Sequence, residues 1–486
     1  MNGIDPLPQA TMMDVGQLGR AIGGRAHGEA ARFSGVATDT RTLAEGDLFV
    51  ALKGERFDGH AYVVEAFKRG AAAALVSHEV PGAGAMPHVV VDDTRLGLGR
   101  LAADWRARFA MPVVALTGSN GKTTVKEMLA AILASHSGRR EDVLATEGNL
   151  NNDIGMPLTL LRLREHHHYA VIEMGMNHAG EIDYLTRIAQ PTVALVNNAQ
   201  RAHVGILGSV EAIARAKGEI YAGLKPSGIA VVNEDDDFAP YWKKLNSPSP
   251  SGAQGVERGV GEGRGEGGAT VSRRVVTFGL SERADIRGTS AGGQLRIVTP
   301  ADAFAVTLQV AGEHNLRNAL AACAAAHVLE MPPRAMQEGL AGFTGVPGRL
   351  QRRRGAAGGW VIDDSYNANP ESMKAAVQVL AVERARKVLV MGDMGELGDS
   401  ADAMHREVGT FARERGIDAL YTLGAASRHA AEGFGSGARA FDDVAALIVE
   451  AKREAAAGAT VLVKGSRFMQ MERVADALAE RESHAV

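Results

Sequence analysis

The sequence predicts an α/β protein of three domains, and three observations support this fold class. Short Val-rich apolar runs, typical of buried strands, alternate with stretches of helical spacing. A segment with Gly and Pro at residues 342–355 interrupts that alternation and predicts an interdomain hinge. The chain of 486 residues is also too long for one compact core, so its size alone predicts roughly two to four domains.

The first block, residues 1–110, is predicted to be a small α/β domain. GDLFVALKG (46–54) and MPHVVVDDT (86–94) each contain a short apolar run that is typical of a buried strand. Between them, AYVVEAFKRGAAAALV (61–76) has helical spacing. RLGLGRLAADWRARF (95–109) predicts a further helix that ends near Ala110, before a proline.

The middle block, residues 111–345, is predicted to contain a parallel sheet covered by helices. We expect its strands at 112–118, 169–175, 192–198 and 228–236, with helices between them and a long Ala-rich helix at 312–330. Residues 246–272 differ, because Gly, Ser, Pro and charged residues dominate there. This composition predicts a flexible surface insertion and not a domain boundary.

The third block, residues 346–486, is predicted to be a second doubly wound, Rossmann-like sheet. Apolar runs at 359–365, 387–393, 419–424 and 460–466 alternate with helical segments.

Composition narrows the class of protein. The net charge of −4 gives no attraction to nucleic acid or acidic membranes, and the single cysteine, Cys323, excludes an intramolecular disulfide. The N-terminal residues lack a signal-peptide pattern, and no apolar run approaches the ~20 residues of a membrane helix. We therefore expect a cytoplasmic monomer with no nucleic-acid partner and no integral membrane contact.

The stretch VVALTGSNGKTT (113–124) predicts a phosphate-binding loop of unusual spelling. The common pattern has glycine at the position of Leu116, whereas here the first glycine is Gly118. A strand, a glycine turn and a helix N-terminus nevertheless favour an anion site. Lys122 can reach the β- and γ-phosphates, and the Thr123 hydroxyl can ligate Mg2+. The predicted loop residues are Gly118, Ser119, Asn120, Gly121, Lys122, Thr123 and Thr124.

Other polar residues follow predicted strand ends, where ligands of open parallel sheets bind. Glu173 ends the strand at 169–175 and can hold Mg2+ beside Thr123. His203 follows another strand, although a lone histidine there is more often a loop residue than a ligand. The spacing of Lys217 gives no reason to assign more than a surface lysine. The histidines at 166–168 are predicted to form a solvated turn.

The segment WVIDDSYNANPESM (360–373) ends a strand with two carboxylates, Asp363 and Asp364. One of them is a candidate cap for the helix that follows. The other side chains favour a polar pocket.

Nine segments, taken together and in order, resemble the Mur ligase family. They are TGSNGKTTVKE, EGNLNNDIGMPLTLL, VIEMGMNHAGEI, ARAKGEI, GEHNLRNAL, VPGRL, DDSYNANPESM, VMGDMGELG and VLVKGSR. The resemblance covers nearly the whole chain except residues 246–272. It implies an N-terminal domain (1–110) that binds the UDP end of a sugar nucleotide, a central P-loop ATPase-like domain (111–345) and a C-terminal Rossmann-like domain (346–486) that closes over both.

The resemblance also implies the reaction, an ATP-dependent amide ligation through an acyl phosphate. DDSYNANP, with no Asp-Asn-Pro-Arg stretch, resembles the family member that adds D-Ala-D-Ala to UDP-MurNAc-tripeptide and so makes the pentapeptide precursor of peptidoglycan. Whether the third peptide residue is lysine or diaminopimelate stays open.

Residue roles follow from the resemblance alone. It implies that Lys122, His203 and Lys217 are catalytic, that Lys217 is carbamylated, and that two Mg2+ ions are held by Thr123, Glu173, His203 and Lys217. It places the nucleotide also against Asn315, Arg349 and Asp364. It implies substrate contacts for Thr38, Asp39, Thr40, Arg41, Asn149, Asn151, Asn152, Tyr366, Asn367, Lys464 and Arg467. After His203 this chain has VGILGS, where the family commonly has an acidic and an aromatic residue.

Three other classes of protein share part of this pattern. Folylpolyglutamate synthase shares the phosphate loop and the amide chemistry, but as a rule lacks the uridine domain and SYNANP. A P-loop NTPase of the switch or transport class would need no such substrate domains. A non-enzymatic scaffold would not need Lys122, Glu173, His203 and Lys217 together.

Overall fold

The computed structural model describes residues 11–55, 57–247, 273–291, 293–356 and 358–480. Within these ranges the strands form three large sheets and one small two-stranded sheet. Helices pack on the large sheets, which confirms the predicted three-part α/β fold. The predicted boundaries near residues 110 and 345 fall between the sheets, and their exact positions stay predictions.

The first large sheet lies in the N-terminal block. The strands there are β1 (Met13–Asp14), β2 (Arg25–His27), β3 (Arg32–Phe33), β4 (Gly35–Ala37), β5 (Asp47–Val50), β6 (Ala73–Val76) and β7 (His88–Val90). The helices are α1 (Val15–Ile22), α2 (Val63–Lys68), α3 (Thr94–Ala107) and a 3-10 helix at Gly59–Tyr62. The sheet order is β2-β7-β6-β5-β4, in which only β2 runs antiparallel to its neighbour, and β1 pairs with β3.

The helix predicted over residues 61–76 is wrong in its second half. Helix α2 ends at Lys68, and Gly70 then adopts φ +98°, a left-handed conformation that glycine tolerates best. Residues Ala73–Val76 form β6, which is fully buried between β5 and β7. A short alanine-rich run fits a buried helix and a buried strand equally well. Pairing with β5 and β7 is what makes residues 73–76 a strand.

The central sheet has nine strands in the order β16-β15-β14-β13-β12-β11-β8-β10-β9. They are β8 (Val113–Thr117), β9 (Val143–Ala145), β10 (Tyr169–Glu173), β11 (Val193–Val196), β12 (Ile229–Asn233), β13 (Arg274–Gly279), β14 (Ile286–Ala291), β15 (Gln294–Val298) and β16 (Ala303–Val306). The pairs from β9 to β14 are parallel, whereas β14-β15 and β15-β16 are antiparallel.

Eight helices cover the central sheet in the described part of this block. They are α4 (Lys122–Ser137), α5 (Gly155–Leu160), α6 (Glu181–Ala189), α7 (Val204–Leu207), α8 (Val210–Gly218), α9 (Ala239–Asn246), α10 (Glu313–Val328) and α11 (Pro333–Gly342), with 3-10 helices at Arg140–Asp142 and Glu219–Gly223. Strands β9 and β13–β16 were not foreseen from the sequence. Most of the predicted insertion, residues 248–272, lies outside the described residues, but its predicted first residue, Asn246, is buried at the end of α9.

The C-terminal sheet has the order β17-β18-β22-β19-β20-β21. Its strands are β17 (Gln351–Arg354), β18 (Trp360–Asp364), β19 (Lys387–Gly392), β20 (Ala419–Leu423), β21 (Ala438–Phe441) and β22 (Thr460–Lys464). Its helices are α12 (Pro370–Ala381), α13 (Ala401–Glu414), α14 (Arg428–Phe434), α15 (Val444–Ala456) and α16 (Glu472–Leu478), with 3-10 helices at Gly398–Ser400 and Arg467–Met469. The predicted hinge is partly a strand, because β17 pairs antiparallel with β18.

The apolar cores join the first two blocks and leave the third separate. One continuous buried cluster runs from Met12 in the N-terminal block to Trp242 in the central block. The two faces of the C-terminal sheet carry their own clusters. Within the described parts of the chain, no helix combines the length and apolar character needed to cross a membrane.

Candidate active site

A cavity of about 950 Å³ lies between the central and C-terminal sheets. Its central wall is built by residues that follow β8, β10, β11 and β12, at the carboxyl ends of parallel strands. Its opposite wall comes from residues after β18, β19 and β22 and from the segment before β17. The sheet topology therefore gathers residues from both blocks at one place.

The predicted phosphate loop lines this cavity between β8 and α4. Ser119 N–H donates to the Asn198 carbonyl at 3.0 Å, and Asn120 N–H donates to Asn198 Oδ1 at 2.9 Å. Gly121 adopts φ +79°, and a Cβ there would overlap the Asn318 side chain. The positive φ and the lack of space for a side chain therefore both require glycine at position 121. The turn places the start of α4 at the cavity.

Lys122 is the first residue of α4 and folds back over the loop. Its Nζ donates to the Gly118 carbonyl at 2.8 Å. Burial lowers the pKa of Lys122, while the charge of Glu173 raises it and that of Arg349 lowers it. The amine therefore lies in the loop that the sequence predicted, close to both an acidic and a basic partner.

A buried polar cluster forms around Glu173, as the sequence predicted for a metal ligand. Thr123 Oγ1 donates to Glu173 Oε2 at 2.9 Å, and Asn151 Nδ2 donates to Glu173 Oε1 at 2.7 Å. Arg349 Nη2, from the C-terminal block, donates to Thr123 Oγ1 at 2.9 Å. Hydroxyl, carboxylate and amide oxygens are the donors that Mg2+ prefers, so the cluster fits a magnesium site.

Lys217 is buried on α8 and lines the same cavity. Burial lowers its pKa well below the ordinary value, and the positive charge of Lys122 lowers it further. Burial thus disfavours the charged ammonium form of this lysine. The surface location suggested by spacing alone is wrong, because α8 turns this residue into the cavity.

His203 meets the C-terminal block. It adopts φ +63° just before α7, and its Nδ1 lies 2.5 Å from Glu396 Oε2. The bond to His203 lowers the pKa of Glu396. A backbone hydrogen bond joins the same two segments, because Gly205 N–H donates to the Glu396 carbonyl at 2.9 Å. The histidines at 166–168 lie in a turn elsewhere, and burial lowers the pKa of His167 to about 4.

Asn315 belongs to a row of amides that joins the phosphate loop to α10. Asn197 Nδ2 donates to the Asn120 carbonyl at 2.9 Å and to Asn318 Oδ1 at 3.1 Å. Asn318 Nδ2 in turn donates to Asn315 Oδ1 at 3.1 Å. Asn315 does not cap α10, because Gly312 stands at the cap and Asn315 Nδ2 donates to the Ala311 carbonyl at 2.7 Å.

Asp364, at the end of β18, forms a buried ion pair with Lys464 at 2.7 Å. Burial raises the pKa of Asp364, and the charges of Lys464 and Arg349 oppose that rise. Capping of α12 by either aspartate is wrong, because Asn369 is the cap and accepts from Ser372 N–H. Asp364 instead lines the polar pocket that the sequence predicted. Asp363 does not line it, because it accepts from the Ser365 hydroxyl at 2.5 Å and pairs with Arg353 at 3.4 Å.

Arg349 stacks on the ring of Tyr366, with 4.2 Å between its guanidinium carbon and the ring centre. The guanidinium carbon of Arg467 lies 5.9 Å from the centre of the same Tyr366 ring. Lys464 Nζ donates to the Asn367 carbonyl at 2.7 Å. The structure thus brings these predicted nucleotide and substrate residues to one wall of the cavity.

Other predicted substrate residues do not line the cavity. Thr38, Asp39, Thr40 and Arg41 follow β4 in the N-terminal block, where Asp39 accepts hydrogen bonds from the backbone and side chain of Arg41. Those bonds lower the pKa of Asp39 to about 2. Asn149 and Asn152 are exposed, and Asn152 Oδ1 accepts from Gly155 N–H at the start of α5. Of the three asparagines in this loop, only Asn151 lines the cavity.

The sequence reasoning missed the residues that join the two walls. Arg201 donates to Glu371 Oε1 at 2.5 Å and to both oxygens of Glu407, at 2.9 and 3.0 Å. Asn369 Nδ2 donates to Asn120 Oδ1 at 2.7 Å. Their position in the sequence could have identified Asn198 and Arg201, because NNAQRA (197–202) directly follows β11 and the carboxyl ends of parallel strands form the ligand crevice.

Three family models match the chain. The Mur ligase middle domain matches residues 116–254 and 265–326, and the Mur ligase glutamate ligase domain matches residues 348–467. The model described as the Mur ligase family catalytic domain matches residues 32–106. Together they cover all three blocks.

Curated relatives match along nearly their full length. The UDP-N-acetylmuramoyl-tripeptide–D-alanyl-D-alanine ligase of Escherichia coli is 44% identical over 96% of this chain and 98% of its own length. The protein of the same name from Bacillus subtilis is 36% identical over 92% of this chain and 93% of its own length.

Solved structures agree with this likeness. A crystal structure of MurF from Acinetobacter baumannii has a TM-score of 0.85 and 37% identity, covering 97% of this chain and 99% of that one. MurF ligase of Thermotoga maritima in complex with ADP has a TM-score of 0.76 and 27% identity, covering 91% and 96%. Folylpolyglutamate synthase of Mycobacterium tuberculosis, at a TM-score of 0.58 and 19% identity over 78% and 92%, shares the fold alone.

Proposed function

This chain belongs to the Mur ligase family, and from that premise we propose that it joins D-Ala-D-Ala to UDP-MurNAc-tripeptide with consumption of ATP. The relatives that carry this activity in their names match the chain from end to end. The product is the UDP-MurNAc-pentapeptide used for peptidoglycan. The alternative of folylpolyglutamate synthesis has only a likeness of fold in its support.

One observation carries the proposal, namely the meeting of two sets of residues in one cavity. Lys122, Thr123 and Glu173 from the central block face Arg349 and Asp364 from the C-terminal block. A phosphate loop alone would serve any nucleotide hydrolase. We propose that the second wall, with buried Lys464, half-buried Arg349 and the SYNANP segment, holds the peptide acceptor beside the nucleotide.

The chemistry explains why cations surround the reacting groups. In the first step a carboxylate oxygen of the tripeptide bonds to the γ-phosphorus, and the bond from that phosphorus to the bridging oxygen breaks to release ADP. In the second step the dipeptide amine bonds to the acyl carbon, the carbon–oxygen bond to phosphate breaks, and the nitrogen loses a proton. Lys122 and Arg349 offset the repulsion between the carboxylate and the triphosphate, and they stabilise the charge of the transferring phosphoryl group.

We propose that Thr123 and Glu173 hold Mg2+ with the phosphates. The observation in favour is the set of converging oxygen donors, in which Glu173 is buried yet held by neutral groups, the Thr123 hydroxyl and the Asn151 amide. A bound Mg2+ supplies positive charge that neutralises the phosphate oxygens. His203, 2.5 Å from Glu396, is our proposed neighbour of a second Mg2+.

We propose that Lys217 is carbamylated. Burial and the charge of Lys122 lower its pKa and so favour the unprotonated amine, whose nitrogen can bond to the carbon of CO2 while it releases one proton to solvent. The product is an anion in place of a neutral amine beside Lys122. An anion at this position would support a cation instead of repelling it.

We propose which residues contact each part of the substrates. Thr38, Asp39, Thr40 and Arg41, which lie in the N-terminal block and do not line the cavity, are the proposed uridine contacts. Asn315 and Asp364 are the proposed adenosine contacts. Tyr366, Asn367, Lys464 and Arg467 are proposed to bind the peptide or dipeptide. The loop of Asn149, Asn151 and Asn152 is proposed to meet the substrate and the phosphates, with Asn151 lining the cavity. We further propose a monomer that acts in the cytoplasm.

The proposed activity is tested by incubating the protein with ATP, Mg2+ and two substrate pairs in separate reactions. ADP release and product mass are followed for UDP-MurNAc-tripeptide plus D-Ala-D-Ala, with lysine or diaminopimelate as third residue, and for folate plus glutamate. We expect product from the first pair only, and a loss of roughly 10³-fold or more in Lys122→Ala. Product from folate alone would refute the proposal.

The carbamate is tested separately. We expect Lys217→Ala to lose most activity and to regain part of it when short carboxylic acids are added, because they restore an anion in the vacated space. Lys126 is another fully buried lysine, on α4, and provides the control. Lys126→Ala should gain nothing from the same acids. Full activity of Lys217→Ala, or equal rescue of both variants, contradicts carbamylation.

A further inference from the structure

Two histidines and a glutamate meet in the N-terminal block, far from the catalytic residues in sequence. His27 on the edge strand β2 pairs directly with His88 on β7, and their rings stack with 5.0 Å between centres. Glu79 follows β6, and its Oε2 lies 3.7 Å from His88 Nε2. One ligand atom from each residue lies within 4.8 Å of the other two. None of the three lines the catalytic cavity.

The two imidazoles each present an unused nitrogen. Among the residues that the structure describes, His27 Nε2 and His88 Nε2 are buried atoms without a hydrogen-bond partner. His88 is only 3% exposed, so its Nε2 has no access to bulk water that would make up the loss. A buried nitrogen without a partner is costly, and its presence on two facing residues indicates a missing ligand.

The backbone fixes which nitrogen of His88 is available. Its Nδ1 lies 2.8 Å from the Met86 carbonyl and therefore carries the proton, which leaves the Nε2 lone pair free. Metal-bound histidines commonly have this arrangement, in which a carbonyl orients the ring. Gly28 brings β2 close to this carbonyl, because it has φ +81° and a Cβ there would lie 2.6 Å from Met86 O.

Other buried histidines in the described parts of the chain do not share this pattern. His60 has Nδ1 2.5 Å from Asp58 Oδ1 and accepts from Ser77 N–H through Nε2. His405 has Nδ1 2.7 Å from the Ala401 carbonyl and accepts from Met394 N–H. Both rings are satisfied by protein groups and have structural roles. In the pair His27–His88, the Met86 carbonyl holds Nδ1 of His88, whereas Nε2 of both rings lacks a partner among the described residues.

We propose that His27, Glu79 and His88 bind one divalent transition-metal ion, with Zn2+ as the best match. Two imidazole nitrogens and one carboxylate suit Zn2+, whereas Mg2+ prefers oxygen donors alone. Ligand atoms of a tetrahedral zinc site lie about 3.3 Å apart. Glu79 is exposed, so its side chain is free to supply the adjustment, and water completes the coordination.

The proposed ion has a structural role. It ties the edge strand β2 to β7 and to the residues that follow β6. Without the ion, β2 is joined to β7 by an antiparallel pairing of three residues on each strand. A two-histidine site on an edge strand strengthens a part of the sheet that ends in unpaired backbone groups. The proposal does not depend on the ligase activity.

The test measures Zn2+ and Co2+ binding to the chelator-treated full chain in buffer with excess Mg2+, which occupies oxygen-only sites. We expect one bound Zn2+ per chain, and visible Co2+ absorption typical of nitrogen coordination. Glu79→Gln changes an exposed side chain and should fold normally. His27→Gln and Glu79→Gln should each weaken this binding at least about 10- to 100-fold.

The control is His78→Gln, which removes an exposed histidine next to Glu79 that is not part of the trio. It should keep the bound ion and its affinity. Zn2+ should also raise the thermal unfolding midpoint of the wild type and of His78→Gln, but not of Glu79→Gln. Equal stoichiometry and affinity in all four proteins, or the same loss in His78→Gln, would overturn the proposal.

Discussion

The central block contacts its two neighbours through surfaces of opposite character. Its contact with the N-terminal block, here called the apolar joint, packs α3 against α5 and α6. Leu98, Leu101 and Trp105 of α3 belong to the same buried cluster as Leu185 and Ile188 of α6. Even Arg106 is buried there, where its Nε donates to the Ala189 carbonyl at 3.0 Å.

The contact with the C-terminal block, here called the polar joint, depends on hydrogen bonds and ion pairs. Arg201 pairs with Glu371 and Glu407, Asn120 exchanges hydrogen bonds with Asn369, and other pairs flank them. These pairs border the cavity and are partly open to solvent.

The difference indicates which joint can open. Separating the apolar joint would expose buried apolar surface, at about 25 cal/mol per Å². Groups of the polar joint exchange their partners for water at a small net cost. We infer that the N-terminal and central blocks move as one body, and that the C-terminal block opens to admit substrates and closes on them.

The largest expected effect is on the apolar joint. Trp105→Ala removes a buried indole whose Nε1 donates to the Leu163 carbonyl at 3.1 Å. It should lower the free energy of unfolding by about 3–5 kcal/mol, measured by urea denaturation and circular dichroism. Val382→Ala, at an apolar side chain that is 80% exposed, should change it by less than about 0.5 kcal/mol. A loss below ~1 kcal/mol in Trp105→Ala would mean that the joint is not cohesive.

The polar joint should respond in activity more than in stability. Arg201→Met keeps the aliphatic stem but removes charge-assisted bonds to Glu371 and Glu407. We expect kcat/KM for ligation to fall roughly 10- to 100-fold, and stability to change by about 1 kcal/mol. Arg187→Met breaks the exposed pair with Asp183 on α6 and should leave both quantities near wild type. If both variants behave alike, the joint has no special role in closure.

Acid should weaken the polar joint within a defined range of pH. The hydrogen bond from Arg201, with help from Lys374, holds the pKa of Glu407 at about 2, below the ordinary 4.5. A lowered pKa in the folded state stabilises the protein above pH 4.5, and that contribution is lost as pH falls toward about 2. The difference in unfolding midpoint between the wild type and Glu407→Gln should therefore be constant above pH 4.5 and shrink below it.

The control for this pH dependence is the same comparison in the Arg201→Met background. Without Arg201 the main cause of the lowered pKa is absent, so the decrease should be smaller and should occur at higher pH. A difference that stays constant down to pH about 3 in the wild-type background would contradict the assignment.

The smallest expected effect concerns the contact between Asn369 and the phosphate loop. Asn369→Ser preserves the cap of α12 but removes the amide that meets Asn120. Loss of such a bond costs about 0.5–1.5 kcal/mol, so KM for ATP should rise roughly 2- to 10-fold with little change in stability. Asp443→Ser also preserves a cap, on α15, and should leave KM unchanged. Equal KM values in all three proteins would exclude a link between α12 and the nucleotide.

Much of the site was accessible from the sequence because its signals are local. The phosphate loop lies within a few residues of chain, where strand, glycine turn and helix follow each other. Glu173 was identified because it ends a strand, and the carboxyl ends of parallel strands share one edge. The order of the motifs was sufficient to indicate the family.

The sequence by itself determined the α/β class, ten of the 22 described strands, the phosphate loop and the family. Only the tertiary structure decided that Ala73–Val76 is a strand, that Lys217 is buried, and that Arg201 of the central block meets Glu371 and Glu407 of the C-terminal block. Residues 120 and 369 are far apart in the chain, so no local pattern links them. Periodicity and turn chemistry act over a few residues, whereas burial and pairing depend on which surfaces the whole chain brings together.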